Sequence, residues 1–197
     1  MSNSDNVKLS GVEYTGLRLR LAAFLLDCIV ILGYIIILTA VGLGTMFVIK
    51  SLQQLTNLFA KPLFLDLITF ITLILPVILY FTLQESSPKQ ATWGKCKVGL
   101  RLITASGKPL SKGKAFVRSP LKFLPWQLAH TSIYHIKGWP FAPEESPTPL
   151  VMTGLVLVWV IIGIYLISFL VTKTHRTPYD WLTGTFVIVT AYRKNVT

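Results

Sequence analysis

Two aspartates stand where charge is costly. Asp27 and Asp66 are each the single charged residue of a long apolar run, over residues 21–49 and 63–83. A carboxylate at mid-bilayer costs about 2.5–3.5 kcal/mol, and less towards the surface, so it persists only when paired, hydrated or protonated. Such a group can take up a proton or a cation, the elementary step of an exchanger. Arg20 precedes Asp27 by seven residues, on the same helix face and about 10 Å along the axis. That is too far for a direct pair within the helix, so either Arg20 reaches up to the headgroups or another segment bridges the two. Arg176 and Asp180 follow the last apolar run, and a polar cluster of Arg20, Asp27, Arg176 and Asp180 is expected at the inner membrane mouth. The same cluster also fits a purely organising role, in which the charges fix helix packing and orientation.

Asp66 lies four residues past Pro62, near the outer boundary. It is read either as a complement to the helix dipole or as an outer gate residue. Asp27 and Asp66 are expected at opposite ends of the membrane, and therefore not in one site. Gln127, His130, Thr131 and Tyr134 fall within about a third of a helical wheel, a stripe that suits neighbouring helices or a wet cleft. His130 and His135 are either neutral hydrogen-bonding residues or members of a proton relay.

The elements that carry these groups follow from composition. Of 197 residues, 52% are hydrophobic and 14% charged, where a soluble domain has about 25% charged. Mean hydropathy is +0.61, and the chain is far too apolar for disorder. A third run, over 150–172, has no charge at all. About 20 helical residues cross the hydrocarbon core, and inside it every backbone group must be paired within the segment. The chain is therefore expected to be an all-α polytopic membrane protein. The first run is too long for a signal peptide's apolar stretch of about 7–15 residues and is read as a retained span. Pro76 is expected to kink the second. Cys28 and Cys96 form no CxxC and no zinc spacing, and read as packing cysteines in a reducing compartment.

The net charge of +11, from 19 Lys and Arg against 8 Asp and Glu, then becomes a question of topology. Residues 115–136 form a short, irregular fourth segment containing Arg118, Lys122, Pro120 and Pro125, whose prolines confine regular helix to Leu121 onward or kink it. If it crosses the membrane with the N-terminus inside, 16 of the 19 Lys and Arg lie on one side and Lys50, Lys61 and Lys137 on the other. If it is re-entrant the division is poorer. The positive-inside rule favours crossing, giving four spans at about 21–49, 63–83, 115–136 and 150–172. A basic cytoplasmic loop, 84–114, joins the second to the third. Residues 1–16 and 191–197 are read as a flexible N-terminus and a tail, both cytoplasmic, at the cell (inner) membrane.

Three blocks carry a resemblance. They are Arg20-Leu-Ala-Ala-Phe-Leu-Leu-Asp27, then Gly94-Lys95-Cys-Lys-Val-Gly99-Leu-Arg101 in the basic loop, then Asp180-Trp-Leu-Thr-Gly184-Thr185 after the last span. Together, over about residues 14–190, they resemble the RDD family of membrane proteins, whose namesake positions match Arg20, Asp27 and Asp180. The resemblance implies a transporter of an unknown solute, with cation/proton exchange suggested for some members. Pro178-Tyr179 precedes Asp180, where the family often has a His or another polar residue.

The basic loop has its own reading. Val98–Ala105 is followed by Ser106-Gly107-Lys108-Pro109, a strand and turn, and TFVIVT at 185–190 is a second β-branched run. The two are expected to pair as a small cytoplasmic β-ribbon, with Gly99 and Gly184 as bends. Nine basic residues against Glu85 over 84–122 would dock it to anionic phospholipids, with Lys95, Lys97 and Arg101 as headgroup contacts, at about 1 kcal/mol per basic residue. Membrane orientation explains the basic charge without nucleic acid. No catalytic, metal or cofactor pattern is present: Gly94-Lys95 lacks the other residues of a phosphate loop, and no zinc-protease or nucleophile-elbow motif occurs. Gly33, Gly42, Gly44, Gly154 and Gly163 allow close helix approach, and so short a bundle suggests a homo-oligomer. The expected function is transport through Asp27, with Arg20 and Asp180 as its partners. The alternative is a membrane scaffold or accessory subunit that transports nothing.

Overall fold

A computed structural model of the protein describes residues 13–49, 61–139 and 146–190. The N-terminal residues 1–12, most of the 50–62 link, and the 191–197 tail, with Lys8, Lys50, Glu144, Glu145, Arg193 and Lys194, lie outside them. The elements are α1 (Leu17–Ile49), α2 (Pro62–Glu85), α3 (Trp93–Lys97), β1 (Leu100–Thr104), α4 (Lys112–Tyr134), α5 (Pro149–Val171), α6 (Pro178–Thr183) and β2 (Thr185–Val189). Among the described residues, three helical stretches are long and apolar enough to cross a membrane: Leu17–Thr45, Pro62–Glu85 and Pro149–Val171. Very little of each is covered by protein, and Leu150 and Trp159 of α5 are 81% and 73% exposed. Helices apolar on every side with so little protein cover need lipid as their solvent.

The chain divides into two compact units. The first comprises the start of α1, the end of α2, α3, β1, the first part of α4, the end of α5, α6 and β2. Here the expected ribbon forms: β1 and β2 pair antiparallel, Leu100 opposite Val189 and Thr104 opposite Thr185. Two strands alone are marginal in water, and these are buried on both faces. Leu100, Leu102 and Val187 pack with Ala23 of α1 and Ala115 of α4, while Ile103, Phe186 and Ile188 form a second cluster against Tyr14. Tyr14 also adds a bridge to Ile188. Gly99 and Gly184 take the left-handed backbone, with φ of 70° and 64°, where the chain leaves α3 for β1 and α6 for β2; a side chain there would be strained.

The second unit holds the rest of α1, α2, α4 and α5. Gly154 of α5 lies so close to Ser132 of α4 that an added Cβ would fall on the Ser132 hydroxyl. Gly33, Gly42, Gly44 and Gly163 face no described atom within 4 Å.

Of the two outcomes expected for the prolines of α4, confinement of regular helix to Leu121 onward does not occur: the helix is continuous from Lys112 to Tyr134, starting before both. A proline inside a helix leaves the carbonyl four residues earlier without its N–H. For Pro125 that carbonyl belongs to Leu121, and the Tyr165 hydroxyl donates to it at 2.5 Å. In α2, Pro76 follows a π-helical turn at Phe70–Ile74, and the carbonyl of Thr72 accepts a hydrogen bond from the Tyr34 hydroxyl. Tyrosine hydroxyls thus replace the bonds that Pro125 and Pro76 remove. We expect Tyr165→Phe to cost about 1–3 kcal/mol in thermal unfolding of the detergent-purified protein, and to cost little in a Pro125→Ala background, where the backbone bond is restored. An equal loss in both backgrounds would show that the hydroxyl does not serve this carbonyl.

Candidate functional site

The polar residues of the first unit form two separate constellations. One is a chain of buried charges of alternating sign. Glu85, at the end of α2, pairs with Lys95 of α3 and, at 2.5 Å, with Arg118 of α4. Arg118 continues to Asp180 of α6, through Nε at 3.0 Å and Nη2 at 2.8 Å. Asp180 in turn accepts from Arg20 of α1 at 3.1 Å. The two carboxylates are fully buried and Arg118 nearly so.

Asp180 is the most heavily bonded member. Its Oδ2 also accepts from the hydroxyl and the backbone N–H of Thr177, at 2.9 and 3.3 Å, and its Oδ1 from the Thr185 hydroxyl at 3.2 Å. The D-x3-G-T block follows from this geometry. Asp180 at the third position of α6 reaches back to the residue preceding the helix, as in a capping box. Gly184 turns the chain in the left-handed region, and Thr185 begins β2 while returning its hydroxyl to the carboxylate. Burial by itself would raise the Asp180 pKa, but Arg118 and Arg20 more than offset it and hold the carboxyl well below its usual range. Burial pushes the Lys95 ammonium down, with Glu85 opposing.

The second constellation surrounds Asp27, which is 1% exposed. Its Oδ1 accepts from the Tyr80 hydroxyl at 3.0 Å and the Gly94 N–H at 2.8 Å, and its Oδ2 from the Thr92 hydroxyl at 2.6 Å. All three donors are uncharged. Thr92 caps α3, its hydroxyl accepting from the Lys95 N–H, so the Gly94-Lys95 block is positioned by the helix start. Gly94 is fixed by contact: a Cβ there would strike the Ala23 carbonyl and come within 2.9 Å of the Asp27 carboxyl carbon. Only glycine lets α3 lie against α1 closely enough for the backbone N–H to reach Asp27.

The four residues expected in one cluster are thus distributed. Arg20 meets Asp180 directly. Arg176 donates to the Asp180 backbone carbonyl at 3.0 Å and stacks on Phe186, 4.4 Å from the ring centroid. Asp27 makes no ion pair with either arginine; Tyr80, Thr92 and Gly94 occupy its oxygens instead. Arg20 spans the helix turns by leaning towards Phe169 and α6. Of the expected headgroup contacts, Lys97 and Arg101 are exposed, but Lys95 is corrected: it is 8% exposed and committed to Glu85. Glu85 and Arg118 were not singled out as site residues from sequence. Their signal was present, since Glu85 is the sole acid between residues 67 and 143 and ends an apolar helix.

In the second unit Asp66 accepts from Gln127 and Thr131 of α4, and Tyr134 shares a hydrogen bond with Thr69. His130 bonds the Trp126 carbonyl of its own helix. Among the described residues no three His, Cys, Asp or Glu converge as a metal centre.

Apolar helices able to cross a bilayer, joined to a ribbon-and-helix unit with buried charges, define a membrane-type protein. The chain belongs to the RDD family, whose model matches residues 14–184, most of its length. No curated protein and no solved structure matches it.

Removing the Asp180 charge should be severe. Asp180→Asn leaves Arg20 without its counter-charge and the buried Arg118 with Glu85 alone, a loss of about 3–5 kcal/mol. Because folding lowers this carboxyl's pKa, its stabilisation is complete above the ordinary value near 3.8 and is lost as pH falls below it. The unfolding midpoint of the wild type is therefore expected to drop steeply below about pH 4, and that of Asp180→Asn to start lower and fall less. Parallel pH profiles for the two proteins would rule out this linkage.

Proposed function

We propose that the protein is a multi-pass transporter of the cell (inner) membrane that exchanges a cation for protons through an intramembrane aspartate. The observation that carries this reading is Asp27: a buried carboxylate within a membrane-length apolar helix, held by uncharged donors and, among the described residues, paired with no basic side chain. Charge retained at that cost marks function by default. Tyr80 links the group to its surroundings, because its hydroxyl donates to Asp27 and also accepts from the Trp93 N–H at 3.3 Å. In this reading Asp27 takes up and releases the exchanged proton, and Tyr80 and Thr92 are its immediate partners. Arg20 and Asp180 act indirectly, by seating α1 against α6.

In proteoliposomes, a pH gradient is expected to drive uptake of labelled sodium or rubidium. Asp27→Asn should reduce that flux on the order of tenfold or more, the equivalent of losing about 1.4 kcal/mol at the limiting step. Wild-type flux that the variant leaves unchanged would remove Asp27 from the mechanism.

A second reading has its own support. The chain Lys95–Glu85–Arg118–Asp180–Arg20 pairs charges of alternating sign around two fully buried carboxylates, as a packing device would, and fits a scaffold or accessory subunit. Absence of flux for every tested ion, with a stable partner co-purifying, would favour it.

We place the chain in the membrane with four spans, 115–136 being the third, with both termini and the β-ribbon cytoplasmic and Lys97 and Arg101 against anionic lipid. Glycines that meet no described neighbour fit packing between copies in a homo-oligomer. A cysteine at position 146, introduced as Ser146→Cys after replacing Cys28 and Cys96, is expected to react with an impermeant thiol reagent added outside intact cells. Reaction only after the cytoplasm is opened would sink the four-span arrangement.

A further inference from the structure

Asp66 is held, like Asp27, by uncharged donors, but these engage only one of its carboxylate oxygens. It lies on α2 three residues before Thr69, on the same helix face, and meets Gln127 and Thr131 of α4. Gln127 Nε2 and the Thr131 hydroxyl both donate to Asp66 Oδ1, at 2.9 and 2.8 Å, and Gln127 Nε2 also donates to Thr131 Oγ1 at 3.2 Å. One helical turn further along each helix, the hydroxyls of Thr69 and Tyr134 are hydrogen-bonded at 2.8 Å. Two acceptors are left over. Among the described residues nothing donates to Asp66 Oδ2, no basic side chain pairs with Asp66, and Gln127 Oε1 is buried without a partner.

A buried acceptor without a donor, as Gln127 Oε1 is, costs about 1–3 kcal/mol, and the half-buried Asp66 beside it carries a charge that no described basic side chain balances. A bound cation that takes oxygen ligands would satisfy both. The available atoms are one carboxylate, one amide oxygen and the lone pairs of hydroxyls. Calcium and magnesium sites draw on carboxylates and retained waters, whereas a single carboxylate balances a single positive charge. Softer metals need nitrogen or sulfur, and the nearby His130 turns its Nδ1 to the Trp126 carbonyl, 2.8 Å away.

We propose that Asp66, Gln127 and Thr131 form a binding site for a monovalent alkali cation, sodium or potassium, with Thr69 and Tyr134 bracing the two helices beside it. The inference rests on the exchange reading and names the cation's seat, but binding can be measured without transport. The test is thermal unfolding of the full-length purified protein at constant ionic strength, with choline replaced stepwise by sodium, potassium or lithium. A cation that binds only the folded state raises the midpoint in a saturable way, by about 5 °C well above its dissociation constant. Asp66→Asn, close in shape but uncharged, and Gln127→Met, which keeps the bulk but removes the amide oxygen, should each abolish the rise; Asp27→Asn should retain it. A wild type indifferent to the choline replacement overturns the site without reference to any variant, as does a full rise in Asp66→Asn. A saturable rise without flux in proteoliposomes upholds the site and removes the transport reading. Flux without the rise removes the site and leaves the transport reading standing.

Discussion

Two arginines and a lysine, alternating with two carboxylates away from water, constrain more of the first unit than any apolar contact does. Each member of Lys95–Glu85–Arg118–Asp180–Arg20 comes from a different helix: α3, α2, α4, α6 and α1. Buried pairs add little net stability against well-packed apolar residues, yet breaking one is expensive. Their consequence is therefore selectivity. An arrangement of these five helices that mispairs one charge strands another in a medium of low dielectric, so a single mutual packing satisfies all of them. Apolar surface alone could not choose, since α5 is apolar on every side and α1 is apolar beyond Asp27.

Asp27 and Asp180 are both buried aspartates, and their environments are opposite. Asp180 is bound by two arginines and several neutral donors, which suits a fixed charge. Asp27 is bound by hydroxyls and one backbone N–H. Uncharged donors stabilise a carboxylate without supplying a counter-charge, whereas arginines supply one. The Gly94 contact makes this possible, because a backbone amide reaches Asp27 where a side chain would not fit.

Much was legible in the chain before any folding. The charge-poor runs gave the apolar helices, because backbone groups in hydrocarbon have no other way to be satisfied. β-branched runs flanked by Gly99 and Gly184 gave the paired strands. The blocks around Arg20–Asp27, Gly94-Lys95 and Asp180–Thr185 gave the family. Less legible was the role of each polar residue. Lys95 reads as a surface charge in a basic loop, yet it is buried on Glu85, because α3 is short and capped so as to turn it inward. Pro120 and Pro125 read as confining the helix or kinking it, and α4 runs through both. For Pro125 the missing backbone donor is supplied by Tyr165, 40 residues away in sequence.

What the sequence determined by itself was therefore the solvent of each segment and the local geometry of its turns, since burial in lipid, helix capping and left-handed glycines depend on composition and near neighbours. Only the tertiary structure decided which charges neutralise one another. Ion pairing depends on distances of a few ångströms between groups that are far apart along the chain, such as Arg20 and Asp180. A seven-residue spacing between Arg20 and Asp27 cannot reveal that each finds its partner in another helix.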